Sequence, residues 1–146
     1  MHFVILGGGP AGTQAATYAA RLGVEVSVVE RDVIGGAADM WDCIPSKAMI
    51  ATGGAMSFLN RSHGMGLAPV SPRLDMERLR QRISSITTRL GYTTEAILSS
   101  QDVQLLRGEG RMDGPHRVVA ETADGPVELQ GDAILLATGS RPRIPE

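Results

Sequence analysis

Three glycines near the N-terminus have a spacing that suits the binding of a diphosphate. They form the pattern Gly7-x-Gly9-x-x-Gly12, and an acidic residue, Glu30, ends the next apolar run. The first glycine permits a tight turn, the second lets the backbone approach a pyrophosphate, and the third lets a helix pack closely on a strand. The dipole of the following helix favours the diphosphate. A carboxylate such as Glu30 would accept hydrogen bonds from ribose hydroxyls, which predicts an adenine dinucleotide without a 2′-phosphate.

A thiol and an amine lie close together in the sequence. Cys43 is the only cysteine and Lys47 the only lysine. A single cysteine cannot form an intramolecular disulfide, so any thiol chemistry here uses one sulfur. A helix N-terminus would favour the thiolate of Cys43, whereas the neighbouring carboxylate of Asp42 would disfavour it. Two interpretations of Cys43 therefore stay open, an active thiol and a small buried residue.

The surrounding patterns predict the elements that position these residues. A buried strand at residues 2–6 runs into the glycines, an alanine-rich helix follows at 13–22, and an apolar strand at 24–30 is typical of a parallel sheet. Residues 38–56 are predicted to be mostly helical, with Pro45 in a first turn or at a kink. Residues 60–74 are predicted to form a loop.

The second half of the chain predicts one long helix and then strands. Apolar residues from Met76 to Leu90 recur at helical spacing, and arginines 78, 80, 82 and 89 mostly fall off this stripe, which indicates a solvated face and not an anion site. Strands are predicted at 103–107, 117–122, 127–130 and 133–137. Together the elements predict an α/β fold, a Rossmann-like domain with a parallel sheet and a small antiparallel β-meander.

Composition excludes several classes of function. The net charge is −2, which gives no broad cationic field for nucleic acid. The longest apolar runs are much shorter than the ~20 residues that span a bilayer, and no secretory signal is recognisable, so we expect a cytoplasmic protein. No spacing of cysteine, histidine and acidic residues is typical of a metal site. The sequence also lacks the G-x-S-x-G motif that would indicate a hydrolase with a serine nucleophile.

The segment around the thiol resembles the redox-active segment of the flavoprotein disulfide oxidoreductases. Residues 35–47 read GGAADMWDCIPSK, where that family has G-G-T-C-x-N-x-G-C-I-P-S-K. The glycine motif, Glu30 and the closing ATGSRP at residues 137–142 match the family in the same order. The resemblance covers essentially the whole chain.

This resemblance implies FAD as the cofactor, with its pyrophosphate at the first helix and its flavin ring beside the helix that carries the thiol. It implies that Lys47 stabilises negative charge on the reduced flavin and that Gly110 meets the adenine end. The implied catalytic residues are Cys43 and Lys47. The implied cofactor-binding residues are Gly7, Gly9, Pro10, Ala11, Gly12, Glu30, Arg31, Gly36, Lys47, Gly110, Ala137, Thr138 and Gly139.

The sequence departs from the family at the thiols. Ala38 stands where the family has the cysteine that attacks a substrate disulfide, and Cys43 stands where the second cysteine contacts the flavin. A dithiol relay is therefore impossible in this chain. Ala37 also replaces a threonine near the FAD phosphates, and Asp42 replaces the glycine before the second cysteine.

The family places a nicotinamide-binding domain, a second FAD-contacting segment and a dimerisation domain after the Ala-Thr-Gly segment. We therefore expect residues 1–146 to be an incomplete FAD-binding domain, inactive when isolated, of a protein that is a homodimer at full length. The resemblance implies hydride transfer from NAD(P)H to FAD and direct electron transfer to an acceptor such as a quinone. Two alternatives stay open: a soluble pyridine nucleotide transhydrogenase, and a non-catalytic FAD-binding module in which Cys43 senses redox state.

Overall fold

The computed structural model describes residues 1–141, 143 and 144, so the expected family match at Pro142 lies outside the described residues. The described strands are β1 (His2–Leu6), β2 (Glu25–Glu30), β3 (Gln104–Met112), β4 (Arg117–Thr122), β5 (Gly125–Gln130) and β6 (Ala133–Leu136). The described α-helices are α1 (Pro10–Arg21), α2 (Gly36–Met40), α3 (Cys43–Arg61) and α4 (Met76–Ser99).

The strands form one sheet in the order β5-β4-β3-β2-β1-β6. β1 pairs in parallel with β2 and β6, and β2 pairs in parallel with β3. The far half of β3 pairs antiparallel with β4, which pairs antiparallel with β5. The predicted α/β class, with a parallel sheet and a small antiparallel meander, is therefore confirmed.

Strands β1 and β2 are buried on both faces along most of their length, which explains their nearly continuous apolar sequence. On one face Ile5 and Val28 pack with Ala16 of α1 and Leu98 of α4. On the other face Val4, Leu6 and Val29 pack with apolar side chains of the meander, Val118, Ala120 and Leu129. The sheet thus curls so that its antiparallel end covers its own parallel centre.

Three predicted boundaries in the first half were wrong. The first helix begins at Pro10 and not at residue 13. The helix predicted over 38–56 is two helices, α2 and α3, separated by Trp41 and Asp42, and Pro45 lies in the first turn of α3. Helical structure also continues into the predicted loop, because α3 reaches Arg61 and a 3₁₀ turn follows over Ser62–Met65. No glycine or proline interrupts the chain between Gly54 and Gly64, so nothing local ends the helix earlier.

Strand β3 is longer than predicted because its glycines are packing residues. A Cβ at Gly108 would lie less than 3.0 Å from the carbonyl oxygen of Glu121 on β4. A Cβ at Gly110 would lie less than 3.0 Å from Cδ2 of Leu6. The two glycines therefore mark close contacts inside the sheet and not the end of a strand.

Candidate functional site

Three loops meet at the carboxyl edge of the parallel strands. One follows β1 and contains the glycine motif, one follows β2 at Arg31, and one follows β6 at Ala137. The order of the strands reverses at β1, since β2 lies on one side of it and β6 on the other. Open α/β sheets bind ligands in the crevice at such a switch point.

The glycines of the motif differ in what surrounds them. Gly7 has a φ of 107°, which favours glycine, and a Cβ there would overlap the carbonyl of Ala137. A Cβ at Gly12 would lie less than 3.0 Å from the Gly7 carbonyl oxygen and 3.2 Å from Cγ2 of Ile5. At Gly9, by contrast, a Cβ would meet nothing nearer than the Gly36 Cα at 4.0 Å. Packing within the chain therefore requires the first and third glycines, whereas the second has room for a Cβ without a clash.

The start of α1 suits an anion. Gly9 is its N-cap residue and supplies no side-chain cap, Pro10 opens the helix, and the first turn has no acidic side chain. The N–H groups of Ala11 and Gly12 have no intrahelical acceptor, because the residues four positions before them precede the helix. A diphosphate lying over Gly9 would accept from these groups and meet the positive end of the helix dipole.

Glu30 is buried at the end of β2 and holds the glycine loop. Its Oε2 accepts a hydrogen bond from the Gly8 N–H at 2.6 Å, and its Oε1 accepts from the Asp32 N–H at 2.7 Å. Each carboxylate oxygen keeps acceptor capacity for a further donor, such as a ribose hydroxyl. Glu30, which the sequence predicted as a partner of the ribose hydroxyls, therefore also fixes the conformation of the glycine loop. The motif could not show this second role, because Gly8 is an unspecified position in it.

Arg31 lies at the rim of the crevice. Its Nη1 is 3.3 Å from Oε1 of Glu109 on β3, and its Nε is 3.5 Å from Oδ2 of Asp32. The negative charge of Asp32, and to a smaller extent that of Glu109, raises the pKa of the Arg31 guanidinium above its usual value. This cation is therefore charged throughout the working pH range. The pairing with Glu109 joins the end of β2 to β3 and was not predicted.

The remaining loop residues are brought to the same edge. Gly36 packs against Gly9, because a Cβ at Gly36 would lie 3.0 Å from the Gly9 Cα. The Ala137 N–H donates to the Leu6 carbonyl at 2.8 Å, which joins the loop after β6 to the end of β1. Thr138 and Gly139 follow, exposed, and Gly139 has a φ of 71°.

Gly110 is separate from these loops. Its position on β3 faces Leu6 and Val29, and a Cβ there would lie 3.0 Å from Cγ1 of Val29. The close packing of the sheet accounts for glycine at this position. Its implied contact with the adenine end stays a prediction.

The thiol and the amine lie on α3, outside the sheet. Cys43 is the first residue of α3 and is exposed, and Lys47 follows one turn later, also exposed. A separation of four residues places both side chains on one face of the helix. Asp42 is the N-cap residue, yet its carboxylate makes no capping hydrogen bond. α3 packs against α2 and α4, and α2 leads back to the loop at Gly36.

The interpretation of Cys43 as a buried packing residue was wrong, since the thiol is exposed. Ala38, where the family has its other cysteine, lies on α2 and is half-buried.

Across residues 1–141, 143 and 144 no group of three or more histidine, cysteine or acidic side chains could hold a metal ion. None of the helices in this part of the chain is long and apolar enough to cross a membrane.

Comparison with known sequences finds similarity to two kinds of dehydrogenase. A family model described as pyridine nucleotide-disulphide oxidoreductase matches residues 1–146. The dihydrolipoyl dehydrogenase of Zymomonas mobilis is 32% identical over 145 residues, which are 97% of this chain and 31% of that protein. The NAD(P)H dehydrogenase (quinone) of Mycobacterium tuberculosis is 37% identical over 155 residues, covering 98% of this chain and 31% of that protein.

Comparison with solved structures supports the fold. The crystal structure of LpdA from Mycobacterium tuberculosis superposes with a TM-score of 0.89 at 36% identity, covering 99% of this chain and 33% of that one. The HOCl-induced flavoprotein disulfide reductase RclA from Escherichia coli superposes with a TM-score of 0.81 at 22% identity, covering 99% of this chain and 29% of that one. The chain spans about a third of the length of these relatives.

Proposed function

The chain belongs to the pyridine nucleotide-disulphide oxidoreductase family, and on that premise we propose that it is the FAD-binding domain of an enzyme that oxidises NAD(P)H and reduces a quinone. Relatives in this family bind FAD and use NAD(P)H as a substrate. The observation that carries the proposal is the absence of one of the two family thiols. Ala38 stands at the first position, on α2, and Cys43 is the only cysteine. Without a dithiol, electrons leave the cofactor without passing through a protein disulfide.

The residues at the carboxyl edge fit FAD. The open space at Gly9 admits a pyrophosphate close to the backbone, and the unpaired N–H groups of Ala11 and Gly12 donate to it. Glu30 has acceptor capacity for the ribose hydroxyls while it holds the loop through Gly8. When bound, FAD supplies a hydride acceptor for the nicotinamide and an electron donor for the quinone.

Residues of α3 would act at the flavin end of the site. Lys47 places a positive charge one turn from the start of α3, where it would stabilise negative charge on the reduced cofactor. Cys43 shares this face of the helix and is exposed. The electron path to a quinone does not require this thiol.

The choice of acceptor rests on one relative in particular. The mycobacterial protein that is 37% identical is named for quinone reduction. A quinone accepts two electrons from reduced FAD directly, whereas a disulfide substrate in this family requires the thiol that Ala38 lacks. The missing thiol therefore supports a quinone over a disulfide acceptor.

An anaerobic titration tests the proposal. NADH or NADPH is added to the FAD-loaded full-length protein while the flavin absorbance is followed, and then a benzoquinone or lipoamide is added. We expect bleaching by the nicotinamide and reoxidation by the quinone alone, with Cys43→Ser retaining at least half of the quinone rate. Reduction of lipoamide by the wild type, abolished in Cys43→Ser, would overturn the proposal.

Two further readouts separate the alternative functions. Rapid hydride exchange between NADPH and an NAD analogue, without quinone reduction, would identify a transhydrogenase. Bound FAD that no nicotinamide reduces would identify a binding module instead of an enzyme.

A further inference from the structure

A cavity of about 250 Å³ lies between α3 and the start of α4, apart from the glycine loop. Three arginines line it, Arg73 in the loop before α4 and Arg78 and Arg82 on α4. No residue of the glycine loop, and neither Cys43 nor Lys47, contributes to it. The cavity is thus separate from the proposed cofactor site.

The lining carries an excess of positive charge. Asp75 is the only acidic residue in the lining, and its carboxylate is already engaged by Arg78. Its Oδ1 accepts a hydrogen bond from the Arg78 backbone N–H at 3.0 Å, and its Oδ2 lies 3.4 Å from the Arg78 Nε. Within the part of the chain that the structure describes, no carboxylate pairs with Arg73 or Arg82. Arg73 and Arg82 thus line the cavity as exposed cations without a carboxylate partner among the described residues, in a chain whose formal net charge is −2.

The rest of the lining is mostly apolar. Leu79 is buried beneath the cavity, and Met56 of α3 and Leu74 of the loop complete its apolar wall. Thr52 adds a hydroxyl that already donates to the Ala48 carbonyl at 3.2 Å, so its oxygen offers no further proton. An anion with no apolar part would leave this wall in contact with water.

We propose that this cavity binds a small amphipathic anion, an organic acid with one carboxylate, sulfonate or phosphate group on an apolar body. Guanidinium groups bind such oxyanions through paired N–H donors, and the apolar wall would cover the remainder of the ligand. The cavity is open to solvent on one side, and its volume of about 250 Å³ accommodates a compact ring system.

Three probes separate charge from apolar contact. Isothermal titration calorimetry on the full chain would use 1-naphthoate, the neutral 1-naphthol, and inorganic phosphate. We expect binding of 1-naphthoate, with Kd at least tenfold lower than for either other probe and rising with salt as the arginines are screened. Equal affinity for 1-naphthol would show that the arginines are not used, and equal affinity for phosphate would show that the apolar wall is not used. Either result would overturn the proposal.

Variants of exposed arginines then locate the site. Arg73→Ala combined with Arg82→Ala should weaken 1-naphthoate binding at least tenfold. Arg80→Ala is the matched control, because Arg80 lies on the same helix, is also exposed, and does not line the cavity. It should change Kd less than twofold. Equal losses in the two variants would show a general charge effect and refute the assignment of the site.

A last arm separates a free acid from a lipid. The same full chain is mixed with vesicles of phosphatidylglycerol, which present a phosphate group at a surface. Binding to vesicles that Arg73→Ala with Arg82→Ala abolishes, without any binding of 1-naphthoate, would overturn the assignment of a small soluble ligand. Binding of 1-naphthoate with no vesicle binding supports it. Because no readout depends on flavin reduction, failure here leaves the proposed enzymatic function untouched.

Discussion

Single alanine substitutions should separate folding from cofactor binding within the glycine loop. A methyl group at Gly12 would press on the Gly7 carbonyl oxygen and on Ile5, and neither the backbone nor the buried strand can move away freely. A methyl group at Gly9 would enter open space, 4.0 Å from the nearest heavy atom. Gly12→Ala should therefore destabilise the fold, whereas Gly9→Ala should mainly obstruct a pyrophosphate.

The contacts set the expected magnitudes. Overpacking a core position costs about 1–3 kcal/mol, and a backbone clash places Gly12→Ala near the upper end. At about 2–4 °C per kcal/mol for a domain of this size, Tm should fall by about 6–12 °C. Alanine is a poorer N-cap residue than glycine, so Gly9→Ala should cost about 0.5–1 kcal/mol. A methyl group between backbone and pyrophosphate should weaken FAD binding by about 2 kcal/mol, which raises Kd roughly 30-fold.

Two measurements on each variant test this reasoning. Thermal unfolding of the cofactor-free protein gives Tm, and titration with FAD, followed by quenching of flavin fluorescence, gives Kd. Gly53→Ala on α3 is the control, because a Cβ there meets nothing within 4 Å and alanine favours a helix. If Gly9→Ala unfolds as early as Gly12→Ala, or binds FAD as tightly as the wild type, the division of roles is wrong.

Three further substitutions test single contacts. Glu30→Gln turns an amide N–H₂ toward one of two backbone N–H donors, so we expect a loss of about 1–3 kcal/mol in urea unfolding, together with weaker FAD binding. Ser27→Ala removes a buried hydroxyl between the His2 imidazole and the Gln104 amide. The free energy of unfolding in urea should fall by about 1–2 kcal/mol. No change would mean that water replaces the hydroxyl. Gly110→Ala should lower Tm and leave the FAD Kd of the folded protein within twofold, whereas a selective loss of FAD would place this residue at the adenine end.

Local patterns predicted most of the scaffold because its signals are strong. β1, β2 and β4 are within one residue of their predicted bounds, and α4 begins at Met76, the first residue of the predicted apolar stripe. Buried parallel strands carry apolar runs that no other element explains, and the glycine motif fixes where the first strand ends. These features depend on near neighbours in the sequence.

Tertiary contacts decided the features that the sequence did not predict. Gly108 is a strand breaker by local propensity, and it lies within β3 because β4 leaves no room for a side chain. The arginines of α4 are exposed as predicted, but Arg78 and Arg82 line a cavity only because residues of α3 and of the loop before α4 form its other walls. No periodicity within one helix contains that information.

The positions of Ala38 and Cys43 show why one chemistry can be lost while the other is kept. The glycine loop, Glu30 and Ala137 are fixed by hydrogen bonds and packing at the ends of β1, β2 and β6. The two thiol positions lie instead on α2 and α3, outside the sheet, and the half-buried methyl group of Ala38 requires no hydrogen bond. We therefore expect a replacement of cysteine by alanine at this position to remove the attacking sulfur without changing the hydrogen bonds at the ends of β1, β2 and β6. Restoring Ala38→Cys should therefore leave the Kd for FAD within twofold, and a larger change would show that the thiol segment and the crevice are mechanically coupled.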